Sequence, residues 1–453
     1  MYKRSELAAK YKEKLLTPEE AAGKIKSGDR VFYGINYAQT IDVDRALAAR
    51  VAAGELSGLE IVDELGKPTP FEVFKAASSP EQVRFSAPFF SEVDRKMQDA
   101  GFDWFTPNIY SELGHIWRDL APFDLCVIQV GPMDANGYFN IGTSLSCANS
   151  AIDASKTVIL EVNENMPRAY GIDVDVYIGD VDYIVEGSNT PLPELPPVIP
   201  TDNDRLIAGH VVAEITSGAT LQLGIGGTPN AIGKLLVDSD LGDFSCHSER
   251  LTEPFLDLYD AGKLTSTKNF HPGKITYAFA GGSQRLYDFI DGNTICEIVP
   301  IDYVTDFRVV SAIDKFTSIN ACVNVDLYGQ VCSESAGYRH LSGTGGQLNF
   351  VMGACASKGG KSFLCCNSTY RNKAGELETN IRPLLKTGSV VTTPRSMVNY
   401  IVTEYGAVNL KGKTTFQRAE ALISIAHPDF RDELIAEAEK MGLWSRTSKT
   451  SYR

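Results

Sequence analysis

Short, continuous apolar runs recur along this chain, with longer stretches of helical spacing between them. "RVFYG", "LEIVDE", "DLCVIQV", "KTVILEV" and "DYIVEG" precede residue 190. "ATLQLGIG", "GDFSC", "KITYAFA", "KSFLCC", "GSVVTT" and "YIVTEYG" follow it. A strand that is apolar on both faces must be covered on both faces, which is the pattern of a parallel sheet between helices. The alternation predicts an α/β fold with open, mostly parallel sheets.

Two further signals divide the chain. "GSNTPLPELPPVIP", Gly187 to Pro200, carries five prolines in its last ten residues. Proline blocks both a helix interior and a central strand, so this segment reads as an extended connector. The sequences on its two sides are alike. "KIKSGDRVFYG" from Lys24 and "EITSGATLQLG" from Glu214 lie 190 residues apart and share Ile, Ser, Gly and the final Gly. "MDANGYFNIG" and "VDLYGQVCSE" echo each other more weakly, with Asp134 and Asp326 leading Gly137 and Gly329. Two echoes at nearly equal offsets predict a duplicated domain. The expected domains are residues 1–190 and 200–453, the second carrying the functional groups described below. A cleft between them is the expected place for a ligand.

Composition removes several classes of function. Hydrophobic residues are 43% and charged residues 22%, ordinary for a soluble globular protein. The net charge of -14 argues against nucleic acid, because phosphate backbones select basic surfaces. One phosphorylated cofactor held by local cations and backbone amides stays compatible with it. No apolar run approaches the length of a membrane span, and "MYKRSELAAKYKEKLL" lacks the apolar block of a secretory signal. A cytoplasmic protein is expected. The nine cysteines contain no C-x-x-C pair and read as reduced core residues. Cys246 and His247 do not have metal-ligand spacing, so no metal is expected.

The segment with most chemical content is "LQLGIGGTPNAIGKLL". It runs from a strand through Gly224, Gly226 and Gly227 into a helix. Such a loop can present backbone N–H groups and a helix N-terminus to negative charge, or can be only a tight turn. Pro229 stands where the dinucleotide-binding fingerprint needs glycine, and the Lys-Ser/Thr of the Walker loop is absent. Strand 219–224, helix 229–238 and strand 243–246 form a βαβ unit. A right-handed crossover makes its strands parallel and brings "GIGG" and "HSE" to one sheet edge. Glu249 is then either a nucleophile beside a row of amides or a helix-start acid just past a strand. Gly343, Gly345 and Gly346 in "LSGTGGQLNFVMGA" make a further glycine cluster, either a backbone-amide cradle or only a flexible turn. Arg371 follows the buried strand "KSFLCC" and is a candidate phosphate partner or a solvated loop arginine. His271 and His427 each precede proline and are read as hydrogen-bonding groups in turns. Glu253 and Asp257 read as a wet helix face, and the aromatics of "GFDWFTPNIYSELGHIW" as domain core in preference to the lining of an acyl pocket.

Taken in order, "QLGIGGTPNA", "CHSE", "HPGKITYAFAGGSQRLYDFI", "INACVNVDLYGQV", "SGTGGQLNFVMGA", "VVTTPRSMVNYIVTEYGAVNLKG" and "RAEALISIAHPDFRDEL" resemble the acetyl-CoA hydrolase/transferase branch of the family I CoA-transferases. "GPMDANGYFNIG" and "VNENMPRAYG" extend the resemblance through the first half. It implies a duplicated CoA-transferase fold and an enzyme that moves CoA between short carboxylic acids. Butyryl-CoA and acetate are the foremost pair, with 4-hydroxybutyrate or propionate as alternatives. An acyl-CoA hydrolase or a nonenzymatic CoA sensor are the rival readings. Glu249 would carry CoA as a glutamyl thioester. Gly224, Ile225, Gly226, Gly227 and Thr228 would bind CoA and supply oxyanion-hole amides. Asn324, Gly346 and Gln347 would contact CoA, and Arg371 its phosphate. The implied partners are acyl-CoA and a short acid, with a homo-oligomer suggested by relatives. CoA would act as substrate and transient adduct, with no metal or redox cofactor. Relatives often show Gly-Val or Gly-Ile where this chain has Ser245 and Cys246, so an acyl pocket of different shape is expected.

Overall fold

The computed structural model describes residues 2–66 and 71–446. The chain forms two compact units, and the division falls between Pro196 and Pro197, inside the proline-rich segment. The units are not two unbroken stretches. The first also takes in Glu249–Leu251 and Ile275–Val304, which a single cut near residue 190 assigns to the second. Packing, rather than position along the chain, decides which unit a segment joins.

The first unit is built on an eight-stranded sheet in the order Leu15–Leu16, Tyr183–Glu186, Ser155–Val162, Phe123–Val130, Arg30–Phe32, Leu59–Val62, Val83–Ala87, Asp103–Phe105. Every neighbouring pair is parallel. The order runs both ways from Arg30–Phe32, so the topological switch point lies beside that strand. Val31, Leu59, Ile61, Phe85, Val127 and Ile159 form part of its fully buried core. A short parallel pair, Ile275–Ala280 and Cys296–Ile298, belongs to the same unit.

The strands of the second unit run Ser245–Leu251, Thr220–Leu223, Phe316–Ala321, Lys361–Cys365, Tyr400–Thr403, Gly406–Asn409. All pair in parallel except the closing hairpin Tyr400–Asn409. Here the order reverses beside Thr220–Leu223, the strand that corresponds to Arg30–Phe32 at the 190-residue offset. Its core includes Val325, Leu364, Ile401 and Leu422. Each such buried aliphatic side chain contributes roughly 1.5–3 kcal/mol. The weaker sequence echo is repeated in atomic detail. Asp134 Oδ1 accepts from the amides of Asn136 (2.8 Å) and Tyr138 (3.0 Å), and Gly137 has φ +89°. Asp326 Oδ1 accepts from the amides of Tyr328 (3.1 Å) and Gln330 (2.9 Å), and Gly329 has φ +85°. The left-handed position of each turn favours glycine.

Some expectations need correction. "GSVVTT" is not a sheet strand; only Thr393 makes an isolated bridge, to Val331, and Val390 and Val391 are exposed. Pairing is confined to that one residue, and tertiary context overrides the propensity of the β-branched residues. The strand predicted at 243–246 begins at Ser245 and continues to Leu251, so Glu249 lies within a strand. The helix that follows is Glu253–Asp260, with Thr252 at its N-cap. The helix-start acid is therefore Glu253. Trp117 is buried as expected, but Trp104 is about half exposed. All nine cysteines are free thiols. Among the described residues, no helix is long and apolar enough to cross a membrane.

Candidate active site

The glycine loop sits at the carboxyl end of Thr220–Leu223, at the switch point of the second unit. Gly226 has φ +120° and ψ -171°, a region closed to residues with a Cβ. That turn lets the chain pass from a buried strand into helix Gly227–Asp238 within three residues. The first-turn amides of a helix have no intrahelical acceptor, and none here is satisfied by an N-cap side chain. Ile225 is 63% exposed, and Thr228 donates to Asp204 Oδ1 at 2.5 Å.

Strand Ser245–Leu251 runs parallel to Thr220–Leu223, with Thr220 opposite Ser245 and Leu221 opposite Cys246. The expected βαβ unit is present. Ser248 Oγ donates to Leu223 O at 3.5 Å, one residue before Gly224. Glu249 is next in the chain and is half-buried. Ser245 and Cys246 are fully buried at the start of the strand, and Ser245 Oγ accepts from Lys268 N at 3.0 Å. His247 is buried and meets the Phe316 ring edge-on, with centroids 5.9 Å apart.

In the first unit, Glu249 has a polar environment that the sequence did not announce. Glu64 follows strand Leu59–Val62 and is fully buried. Its Oε1 accepts from Tyr110 Oη at 2.5 Å and from Ser146 Oγ, and the two hydroxyls are 2.8 Å apart. Burial pushes the Glu64 carboxyl up to about 7. Burial, then the charges of Glu64 and Glu249, push the Tyr110 hydroxyl well above its ordinary value. Tyr110 is thus coupled electrostatically to both carboxyl groups. Arg250 is also buried, donates to Gly281 O at 2.7 Å, and interacts with Tyr37, Tyr287 and Glu249. Burial lowers its guanidinium. Gly281 leaves room for these groups: a Cβ there would lie 2.4 Å from the Tyr37 ring and 2.8 Å from Arg250 Nη2. The available sequence signal for Glu64 was its place just past a parallel strand, where open α/β sheets bind ligands. Tyr110 belongs to the aromatic segment read as core, and nothing local pointed to Ser146.

The residues expected to contact CoA lie in the second unit. Asn324 is buried, and its Nδ2 donates to Asn380 Oδ1 (2.8 Å) and Val323 O (2.9 Å). Gln347 opens helix Gln347–Ala356, with Gly346 as N-cap. Its side-chain amide donates to Ser333 Oγ (2.8 Å) and Thr393 Oγ1 (3.0 Å). Both side chains are engaged within the fold. Arg371 is exposed on the ribbon Thr369–Arg371/Leu377–Thr379 and donates to Gly375 O at 2.8 Å. His427 caps helix Pro428–Lys440 by accepting from Asp429 N at 3.3 Å, the turn role expected of it. His271 also occupies a turn, with φ +49°. No group of three or more His, Cys, Asp or Glu among the described residues has the arrangement of a metal site.

Comparison with known proteins adds an independent line. The family model for the acetyl-CoA hydrolase/transferase N-terminal domain matches residues 1–196, and that for the C-terminal domain matches residues 282–438. The chain is 44% identical to the butyryl-CoA:acetate CoA-transferase of Anaerostipes caccae, over 97% of this chain and 99% of that one. It is 40% identical to the 4-hydroxybutyrate coenzyme A transferase of Clostridium kluyveri, over 95% and 98%. The crystal structure of RipA from Yersinia pestis superposes with a TM-score of 0.88 at 32% identity, covering 96% of this chain and 99% of RipA.

Proposed function

The chain belongs to the acetyl-CoA hydrolase/transferase family and is a CoA-transferase, and on that premise we propose that it exchanges CoA between butyrate and acetate through Glu249. The observation that carries this reading is the placement of Glu249. It is a half-buried carboxylate within a parallel strand, and the preceding residue, Ser248, bonds to the strand that leads into the glycine loop.

In this mechanism the Glu249 carboxylate attacks the thioester carbonyl of butyryl-CoA. The C–S bond breaks, leaving a butyryl-glutamyl anhydride and CoA thiolate. The thiolate attacks the glutamyl carbonyl, the anhydride C–O bond breaks, and butyrate leaves. The enzyme now holds CoA as a glutamyl thioester. Acetate attacks that thioester, and the sequence runs backwards to release acetyl-CoA and regenerate the carboxylate. Each step exchanges one acyl bond for another, so no electrons are gained or lost. Amides of Gly224 to Thr228 are assigned to the oxyanions, and a covalent intermediate implies ping-pong kinetics. Asn324, Gly346 and Gln347 are assigned to CoA through their backbone, and Arg371 to its phosphate. The Glu64–Tyr110–Ser146 cluster is assigned to the free carboxylic acid. A neutral Glu64 supplies a hydrogen-bond donor to a carboxylate, whereas an ionised one repels it.

The test is peptide mass spectrometry after incubation with butyryl-CoA alone. A CoA adduct on the Glu249 peptide, discharged by acetate to acetyl-CoA, is the expected result. An adduct lost to water alone would make the protein a hydrolase. An adduct formed from 4-hydroxybutyryl-CoA and not from butyryl-CoA would move the substrate to that acid.

A further inference from the structure

The glycine loop is held by a carboxylate from another helix. Asp204 lies in the first turn of helix Asp202–Val212. Its Oδ2 accepts from Thr201 N (2.9 Å) and Thr201 Oγ1 (2.7 Å), completing a capping box in which Thr201 Oγ1 accepts from Asp204 N (3.2 Å). The capping box uses only this oxygen. The other, Oδ1, accepts from Thr228 Oγ1 at 2.5 Å, within the range of a charge-assisted O–H···O bond. The carboxylate also lies against Gly227: a Cβ there would fall 2.4 Å from Asp204 Oδ2 and 2.8 Å from its Cγ. Gly227 has no left-handed φ, so its lack of a side chain answers to this carboxylate and not to backbone strain. A second bond ties the same helical turn to the proline-rich segment, from Asn230 Nδ2 to Val198 O at 2.9 Å.

We infer that Asp204 is a positioning residue that fixes the direction of the glycine-loop amides through Thr228 and the space at Gly227, an inference that rests on the assignment of those amides to the oxyanions. Preorganised donors stabilise an oxyanion only if they need not reorient when it forms. Gly226 leaves the loop conformationally permissive, and the Asp204–Thr228 bond removes that freedom two residues further on. A negative charge near an oxyanion site opposes it electrostatically, so the charge must be spread. Burial alone would push the Asp204 carboxyl up; the hydrogen bonds from Thr228 and Thr201 outweigh it and hold the group below the ordinary carboxylate value. Thr228 and Thr201 thus engage the charge that Asp204 brings.

The experiment is single-turnover formation of the glutamyl-CoA adduct in the full chain. Thr228→Val is expected to slow it roughly tenfold or more, while Thr228→Ser, which keeps the hydroxyl, stays within about twofold of the parent. KM for acyl-CoA should change less than the single-turnover rate. A Thr228→Val rate equal to that of the parent overturns the inference. Gly227→Ala, made alone and with Asp204→Ala, gives the second reading. The alanine methyl meets the carboxylate only when Asp204 is present, so its penalty should shrink in the double variant. Penalties that simply add, in rate and in thermal melting, overturn the inference. The parent chain separates the two levels. No adduct on unmodified protein removes the transferase reading, and the melting cycle still decides whether Asp204 seats the loop.

Discussion

Tyr110 donates to Glu64 at 2.5 Å across 46 residues of sequence, and its hydroxyl also feels the charge of Glu249. A buried acid, a phenol and the proposed nucleophile are thereby electrically linked. In a low-dielectric interior, such a linkage makes the protonation state of Glu64 matter to any carboxylate that binds nearby.

Glu64 has its carboxyl raised to about 7 by burial, so it is mostly neutral below that pH in the folded protein. If it donates to the free acid, KM for acetate rises as pH increases through about 7. Glu64→Gln stays neutral and flattens the dependence. Tyr110→Phe raises KM for acetate roughly fivefold at pH 6, the value of one hydrogen bond. Steady-state kinetics from pH 5.5 to 8.5 provide the check, and a pH-independent KM in the parent sinks the assignment.

Replacing the proposed nucleophile should abolish the adduct without unfolding the chain. Glu249→Gln is expected to lower kcat/KM by roughly 10³-fold or more and to leave no CoA on the peptide. Glu249→Asp retracts the carboxylate by one methylene and should cost roughly 10²-fold through misplacement. Melting temperatures of both variants should stay close to that of the parent, because Glu249 is only half-buried.

Asp103 should make the protein more fragile at alkaline pH. Burial, then the charge of Asp94, raises its carboxyl to about 9. The folded state therefore keeps a proton that the unfolded chain loses near pH 4. The stabilisation is complete below the unfolded value and disappears as pH rises to about 9. Asp103→Asn should raise Tm relative to the parent by about 2–4 °C at pH 8.5, with a smaller gain at pH 5. Thermal melts of both proteins across this range decide it; an equal difference at both pH values would contradict the assignment.

Arg371 is exposed and donates to Gly375 O. As a phosphate contact it works through screened charge. Arg371→Ala should raise KM for butyryl-CoA severalfold at low salt and much less at 0.5 M salt, with KM for acetate unchanged. A rise that ignores salt would assign Arg371 to loop structure instead.

The α/β class, the parallel strands and the glycine loop were legible because each is carried by neighbours in sequence. Apolar runs announce buried strands, Gly226 announces a turn that a Cβ forbids, and the spacing of Asp134–Gly137 and Asp326–Gly329 repeats one turn. Glu249 could be singled out on the same terms, but its reading as a nucleophile or as a helix-start acid just past a strand stayed open. The strand running on to Leu251, with the helix opening at Glu253, removed the helix-start reading. The Glu64–Tyr110–Ser146 cluster and the Asp204 seat under Gly227 had no sequence signal of their own. A hydrogen bond between residues tens of positions apart leaves no periodicity in either segment. Local sequence therefore determined most of the strands and where the glycine loop lies. Tertiary packing decided which buried acids stay neutral and which are held charged, because burial and neighbouring donors set that balance and neither exists before the chain folds.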